Sequence, residues 1–235
     1  MAPSAVLFDL DDTLIDRSKS LARFAAVLSG AYDHQFAMVD TRALYAIIRS
    51  ADGGGYQPRE RVAEDLARLL PWRNAPTPRQ LATFWDTHFP LCSQPTSELV
   101  ETLTWLRARG LKTGIVTNGR VASQGRKISL LGLDELVDSV VISEAVGIKK
   151  PDQRIFAIAL GQLNVPPAEA WFVGDHPAND VLGAAAARLT PVWFRRDTTW
   201  PDGYPPPRLS ITGLHEIIAL LSAAMGNDGP TPAAS

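Results

Sequence analysis

With 235 residues, the chain is long enough for one large domain or for a core carrying a smaller second module. Hydrophobic residues at 46% and charged residues at 20% exclude a disordered chain, and a net charge of -2 with scattered lysine and arginine excludes a basic stripe for nucleic acid. Cys92 is the only cysteine, which excludes an intrachain disulfide and a cysteine metal cage. The apolar stretch before Asp9 is too short for a signal-peptide core and no later stretch is long enough to span a bilayer, so a cytoplasmic protein with no membrane partner is expected.

Residues 5–8 form a short apolar run that empties into Asp9, the pattern of a buried strand ending in a polar loop. From residue 17 to about 89 the spacing becomes helical. Leu21, Phe24, Ala25 and Leu28 share a face, as do Leu44, Ile47 and Ile48, then Val62, Leu66 and Leu69, then Leu81, Phe84 and Trp85. The breaks at residues 52–58 and 71–78 are rich in Gly and Pro, and the whole predicts a four-helix bundle.

After Pro95 the pattern alternates. Helices are predicted at 97–110, 121–131, 152–163 and 179–188, and strands at 112–117, 139–143, 170–175 and 191–194. Residues 209–212 read as an edge strand, Leu214, Ile217, Ile218 and Leu221 as a closing helix, and the tail from Asn227 as a frayed end. The predicted architecture is an α/β doubly wound parallel sheet built from residues 1–15 and 95–235, interrupted by a helical domain at 16–94.

In an open parallel sheet, functional groups gather at the carboxyl ends of the strands. Asp9 and Asp11 follow the first strand, Thr117 and Asn118 the second, Lys150 lies in the loop after the third, and Asp175 and Asp180 follow the fourth. Asp9, Asp11 and Asp12 so close together repel one another unless a cation or proton intervenes, although Asp and Thr also suit a solvated, capped loop. Thr117-Asn118-Gly119 alone describes most strand-to-helix turns, and Lys150 alone is an ordinary surface lysine, with Pro151 expected to open the following helix. Gly174 to Asp180 carries two carboxylates around a tight turn, as a hard cation requires, or else Asn179 simply caps a helix there. His176 is left out of the metal set because magnesium prefers oxygen.

These four segments, in this order, resemble the motifs of the haloacid dehalogenase-like hydrolase superfamily. Phe8-Asp9-Leu10-Asp11-Asp12-Thr13-Leu14 is similar to the first motif, Val116-Thr117-Asn118-Gly119 to the second, Lys150-Pro151-Asp152 to the third and Gly174-Asp175 through Asp180 to the fourth. Gln124 and Lys127, followed by Leu130-Leu131-Gly132-Leu133, resemble the capped subgroup of that family. The resemblance implies a Rossmann-like core with an α-helical cap at 16–94.

It further implies a phosphatase in which Asp9 attacks phosphorus and Asp11 serves as general acid and then base. Thr117, the Asn118 amide and Lys150 would hold the phosphoryl oxygens, and Asp9, the Asp11 carbonyl, Asp175 and Asp180 would hold or orient Mg²⁺. A small phosphorylated metabolite is the implied partner, for a monomer or homodimer. A phosphomutase, a metal-free dehalogenase and an inactive phosphate-binding protein share the fold. Asp11 argues against the dehalogenase, since halide leaves without a proton. In the cap, Tyr56 and Arg59 are the candidate substrate contacts: the first offers an aromatic face with a hydroxyl, the second a cation, and Gly53 to Gly55 are expected to allow close approach to the core.

Overall fold

A parallel strand covered on both faces reads as an uninterrupted apolar run. In the computed structural model, which describes residues 3–37, 40–196 and 198–226, the run after Ser4 forms β1 (Ala5–Phe8), buried along its whole length. β2 (Lys112–Thr117), β3 (Ser139–Ile142), β4 (Ala170–Gly174), β5 (Thr190–Phe194) and β6 (Leu209–Ile211) join it in one parallel sheet of order β3-β2-β1-β4-β5-β6. The order reverses beside β1, which lies between β2 and β4, and that reversal opens a crevice at the carboxyl ends of β1 and β4.

The chain divides into two compact units, Asp16–Gln94 and the combination of Met1–Ile15 with Pro95–Ser235. The Asp16–Gln94 unit contains α1 (Arg17–Ala31), α2 (Thr41–Asp52), α3 (Arg59–Leu69) and α4 (Pro78–His88). Three of these four starts have a side-chain cap. Asp16 and Asp40 cap α1 and α2 through their carboxylates, and Thr77 with Gln80 makes a reciprocal capping box ahead of Pro78 on α4. The buried faces match the spacing except at Leu69, which is 41% exposed at the end of α3; Leu70, one residue on, is buried instead. Phe24, Trp85 and Phe89 pack their rings together at the centre of this unit.

The sheet unit continues with α5 (Leu99–Ala108), α6 (Val121–Leu130), α7 (Leu133–Leu136), α8 (Ser143–Val146), α9 (Gln153–Leu163), α10 (Gly183–Ala186) and α11 (Glu216–Gly226). Alternation along the strands sorts the core into two layers. Val6 and Phe8 pack with residues of α5, α6 and α11, whereas Ala5 and Leu7 pack with Ile155, Phe156 and Ala159 of α9. Two expectations need correction. Pro151 does not open α9: the Asp152 side chain caps that helix from outside, accepting from Arg154 N–H, so Pro151 lies before the cap. The helix expected from residue 179 begins instead at Pro177 as a wide π-type turn (Pro177–Leu182), capped by His176 rather than Asn179. The tail from Asn227 lies outside the described residues, and among those described no helix is long and apolar enough to cross a membrane.

The helical unit holds one buried ion pair. Arg17, at the start of α1, makes two hydrogen bonds to Asp52, at the end of α2, of 2.8 and 2.6 Å. Gly55 has φ +86°, and a Cβ there would fall 2.7 Å from the Arg17 guanidinium carbon, so the glycine run serves close approach to Arg17 of the same unit. Removing one partner strands a buried charge. We expect Asp52→Ala to lower stability by about 3–5 kcal/mol in urea denaturation, and Arg17→Met with Asp52→Leu to regain most of it. Equal loss in the single and double variants would show that the pair does not carry the effect.

Candidate active site

Each expected polar residue stands at a strand end or in the loop behind one. Asp9 follows β1 and is fixed by its backbone N–H, which donates to the Val173 carbonyl of β4 at 2.9 Å. Thr117 ends β2 and Asp175 follows β4, both buried. Lys150 reaches in from the loop before α9. Its ammonium lies 2.5 Å from Asp9 Oδ1 and 2.7 Å from Asp180 Oδ1.

The second of these contacts pairs the ammonium with a buried carboxylate oxygen. Asp180 Oδ2, by contrast, accepts from the His176 N–H at 3.0 Å. Gly174 makes this possible: a Cβ there would lie 2.5 Å from the Asp180 Cβ. His176 turns Nδ1 to accept from Asn179 N–H at 3.1 Å, and burial holds its pKa below the usual imidazole range, so it sits as a neutral helix cap outside the carboxylate group.

Electrostatics at the site are dominated by burial. The Asp9 pKa is pushed up to about 7, first by burial; Lys150 works against the rise and Asp180 and Asp11 add to it. Asp175 is pushed further, to about 9, by burial and then by Asp180, Asp9 and Asp12. Burial alone would lower the Lys150 pKa, but Asp180 and Asp9 outweigh it and raise it, so the ammonium keeps its proton.

Such a group suits a cation. Oxygens of Asp9, Asp175 and Asp180 lie within 4.8 Å of one another, and all three residues are buried. With only oxygen ligands and no nitrogen or sulfur, the residues fit a hard divalent ion. The Asp11 carboxylate is not part of this group. It is turned to the Lys127 ammonium at 2.8 and 2.7 Å and to the Gln124 amide at 2.9 Å.

Two features were missed from sequence. The Asn118 side chain clamps the Lys150 backbone, its carbonyl accepting from Lys150 N–H at 2.8 Å and its amide donating to Lys150 C=O at 3.0 Å. Gln124 and Lys127 were noted for their resemblance only, whereas both are 3% exposed and face Asp11. In the helical unit, Tyr56 is 57% exposed behind the glycine run. Arg59 is already engaged: it lies 3.2 Å from Asp86 and stacks 4.7 Å from the Trp85 ring centre.

Comparison with known proteins gives the family and the fold. A family model described as haloacid dehalogenase-like hydrolase matches residues 3–188. A glyceraldehyde 3-phosphate phosphatase of Methanopyrus kandleri is 33% identical over 82% of this chain and 84% of its own length. A ribulose-1,5-bisphosphate 5-phosphatase of Halopiger xanaduensis is 30% identical over 81% and 84%. The magnesium-bound HAD hydrolase YfnB of Bacillus subtilis, at 19% identity, superposes with a TM-score of 0.78 over 94% of this chain and 99% of that one, a likeness of fold.

The tight seat of Asp180 against Gly174 gives a test that needs no turnover. We expect Gly174→Ala to weaken cation binding by about 10–100-fold, read as a loss of the rise in melting temperature on adding Mg²⁺. Wild-type Mg²⁺ stabilisation in this variant would place Asp180 outside the cation site.

Proposed function

Because the chain belongs to the haloacid dehalogenase-like hydrolase family, we propose that it is a magnesium-dependent phosphatase that hydrolyses a small soluble phosphomonoester through a phospho-aspartate at Asp9. The observation that carries this reading is the buried Lys150 ammonium held between Asp9 and Asp180, within a group of three carboxylates. The relatives named for glyceraldehyde 3-phosphate and ribulose 1,5-bisphosphate support a small phosphate ester as substrate.

In this reading Asp9 attacks phosphorus, the bond from phosphorus to the ester oxygen breaks, and Asp11 gives that oxygen a proton. Asp11 then takes a proton from water as the water attacks the aspartyl-phosphate, which frees phosphate and restores Asp9. The Thr117 hydroxyl and the Asn118 backbone N–H donate to the phosphoryl oxygens, and Lys150 offsets their charge and favours the ionised form of Asp9 against burial. Asp9, Asp175, the Asp11 carbonyl and, directly or by orientation, Asp180 would hold Mg²⁺, which would supply positive charge against the transferring group. The Asp11 oxygens face Lys127 and Gln124, so Asp11 must trade one of these contacts for the ester oxygen.

The deciding experiment is a phosphate-release screen over sugar phosphates, phosphoglycolate, nucleoside monophosphates and p-nitrophenyl phosphate, with Mg²⁺ or with EDTA. Release that depends on Mg²⁺ is expected. Halide release from a 2-haloacid in EDTA, or no release from any ester, would overturn the reading.

Two substitutions separate the roles. We expect Asp9→Asn to abolish steady-state turnover while the protein stays folded; turnover that persists, with deamidation excluded by mass spectrometry, would remove the covalent step. We expect Asp11→Asn to slow alkyl esters by about 10²–10⁴-fold and aryl esters much less, because an aryl oxide leaves with little help from an acid. Equal losses on both, in single-turnover measurements, would remove Asp11 from the acid role.

A further inference from the structure

One buried side chain touches both halves of this machinery. Gln124, on the first turns of α6, is 3% exposed, and its amide nitrogen donates to Asp11 Oδ2 at 2.9 Å and to Thr117 Oγ1 at 2.7 Å. Which end of the amide points inward is not open. Asp11 Oδ2 also accepts from the Lys127 ammonium, and the proton that Asp11 gives to the ester belongs on Oδ1, so the nitrogen must face Oδ2.

A consequence follows for Thr117. Its oxygen accepts from Gln124, so its own proton must point elsewhere. Its contact to the Asn118 carbonyl is 3.5 Å, the far edge of hydrogen-bonding distance and too long to hold it. The backbone is shaped around the same side chain: Gly119 has φ +149°, and a Cβ there would lie 2.8 Å from Gln124 Cγ and 3.0 Å from its Cδ.

Resting on the phosphatase reading, we propose that Gln124 is a positioning residue that couples the acid to the phosphate-binding hydroxyl: one amide nitrogen anchors Asp11 through Oδ2 and turns the Thr117 proton toward the phosphoryl group. Lys127 contacts both Asp11 oxygens and Gln124 contacts only Oδ2, so Oδ1 is the oxygen Asp11 can release to the substrate while Gln124 keeps hold of the other. Lys127 is the second anchor of the acid.

The test uses the full chain, p-nitrophenyl phosphate and an alkyl phosphate ester as substrates, and inorganic phosphate as a competitive inhibitor. Wild-type hydrolysis of the aryl ester is the precondition, and its absence would count against the phosphatase reading rather than against this coupling. Gln124→Met should weaken phosphate inhibition by about tenfold and slow the alkyl ester at least tenfold more than the aryl ester, the pattern of a lost donor and a misplaced acid. In a Thr117→Val background the same substitution should no longer weaken phosphate inhibition, since there is no proton left to direct.

Gln124→Glu keeps the shape and reverses the donor, so it serves if the methionine variant does not fold. It should weaken phosphate inhibition at least as much. Lys127→Met should slow the alkyl ester selectively and leave phosphate inhibition near wild type. Wild-type phosphate inhibition in both Gln124 variants, equal losses on the two esters, or an undiminished effect of Gln124→Met in the Thr117→Val background would overturn the proposal and leave Gln124 as packing.

Discussion

Three carboxylates crowded into a buried space would not stay ionised together unaided. At about 4 Å and an effective dielectric of about 20, each pair repels by roughly 4 kcal/mol, and burial adds to the cost of every charge. Lys150 answers part of this. One ammonium against Asp9, Asp175 and Asp180 leaves two negative charges, the complement of a divalent cation, and the raised pKa values of Asp9 and Asp175 express the same deficit. The ammonium also lies 5.3 Å from the centre of the Phe172 ring, so the strand that delivers Asp175 offers the lysine a favourable face.

The fold is arranged to keep these charges in place. Parallel pairing of β1 with β2 and β4 brings three strand ends side by side, and a one-residue slip of β1 would exchange its residues between the two core layers. Lys150 is not on a strand, and its position depends on Asn118, whose side chain fixes the Lys150 backbone from the end of β2. The Asp175 carbonyl is held in turn by the Trp193 ring N–H and the Thr198 hydroxyl, each at 3.0 Å. Rigid supports of this kind let the site hold like charges at short range without relaxing apart.

What the sequence disclosed follows from range. The cores of β1, β3, β4 and β5 were legible because burial writes itself as consecutive apolar residues, β2 carries a shorter run, and the strand ends then pointed to Asp9, Thr117 and Asp175. Contacts between distant residues left no local mark. Nothing near Asn118 signals a partner 32 residues on, and nothing near Gln124 signals one 113 residues back. Arg59 looked available because Asp86 and Trp85 lie on another helix. At Pro177, helix propensity favoured Asn179 as the cap, but Asp180 is drawn back to the His176 N–H by the space at Gly174, and the turn widens to follow it.

The spacing of Asp9 and Asp11 has its own physical reason. Leu10 between them is fully buried in the apolar layer of Val6 and Phe8, and its carbonyl accepts from both Leu14 and Ile15 N–H groups at 3.0 and 2.8 Å, which closes the turn. With Leu10 pinned inward, its two neighbours are driven into different surroundings. Asp9 enters the buried carboxylate group beside Lys150, while Asp11, whose side chain is 24% exposed, meets Lys127 and Gln124. Asp12 takes φ +56° at the turn, and its carbonyl accepts from Arg196, which also donates to Thr96, the residue whose hydroxyl holds the Thr13 carbonyl. A single buried leucine therefore sends two carboxylates of the same chemistry into different environments, one among buried carboxylates beside Lys150 and one against Lys127 and Gln124, and environment is what sets two such groups apart.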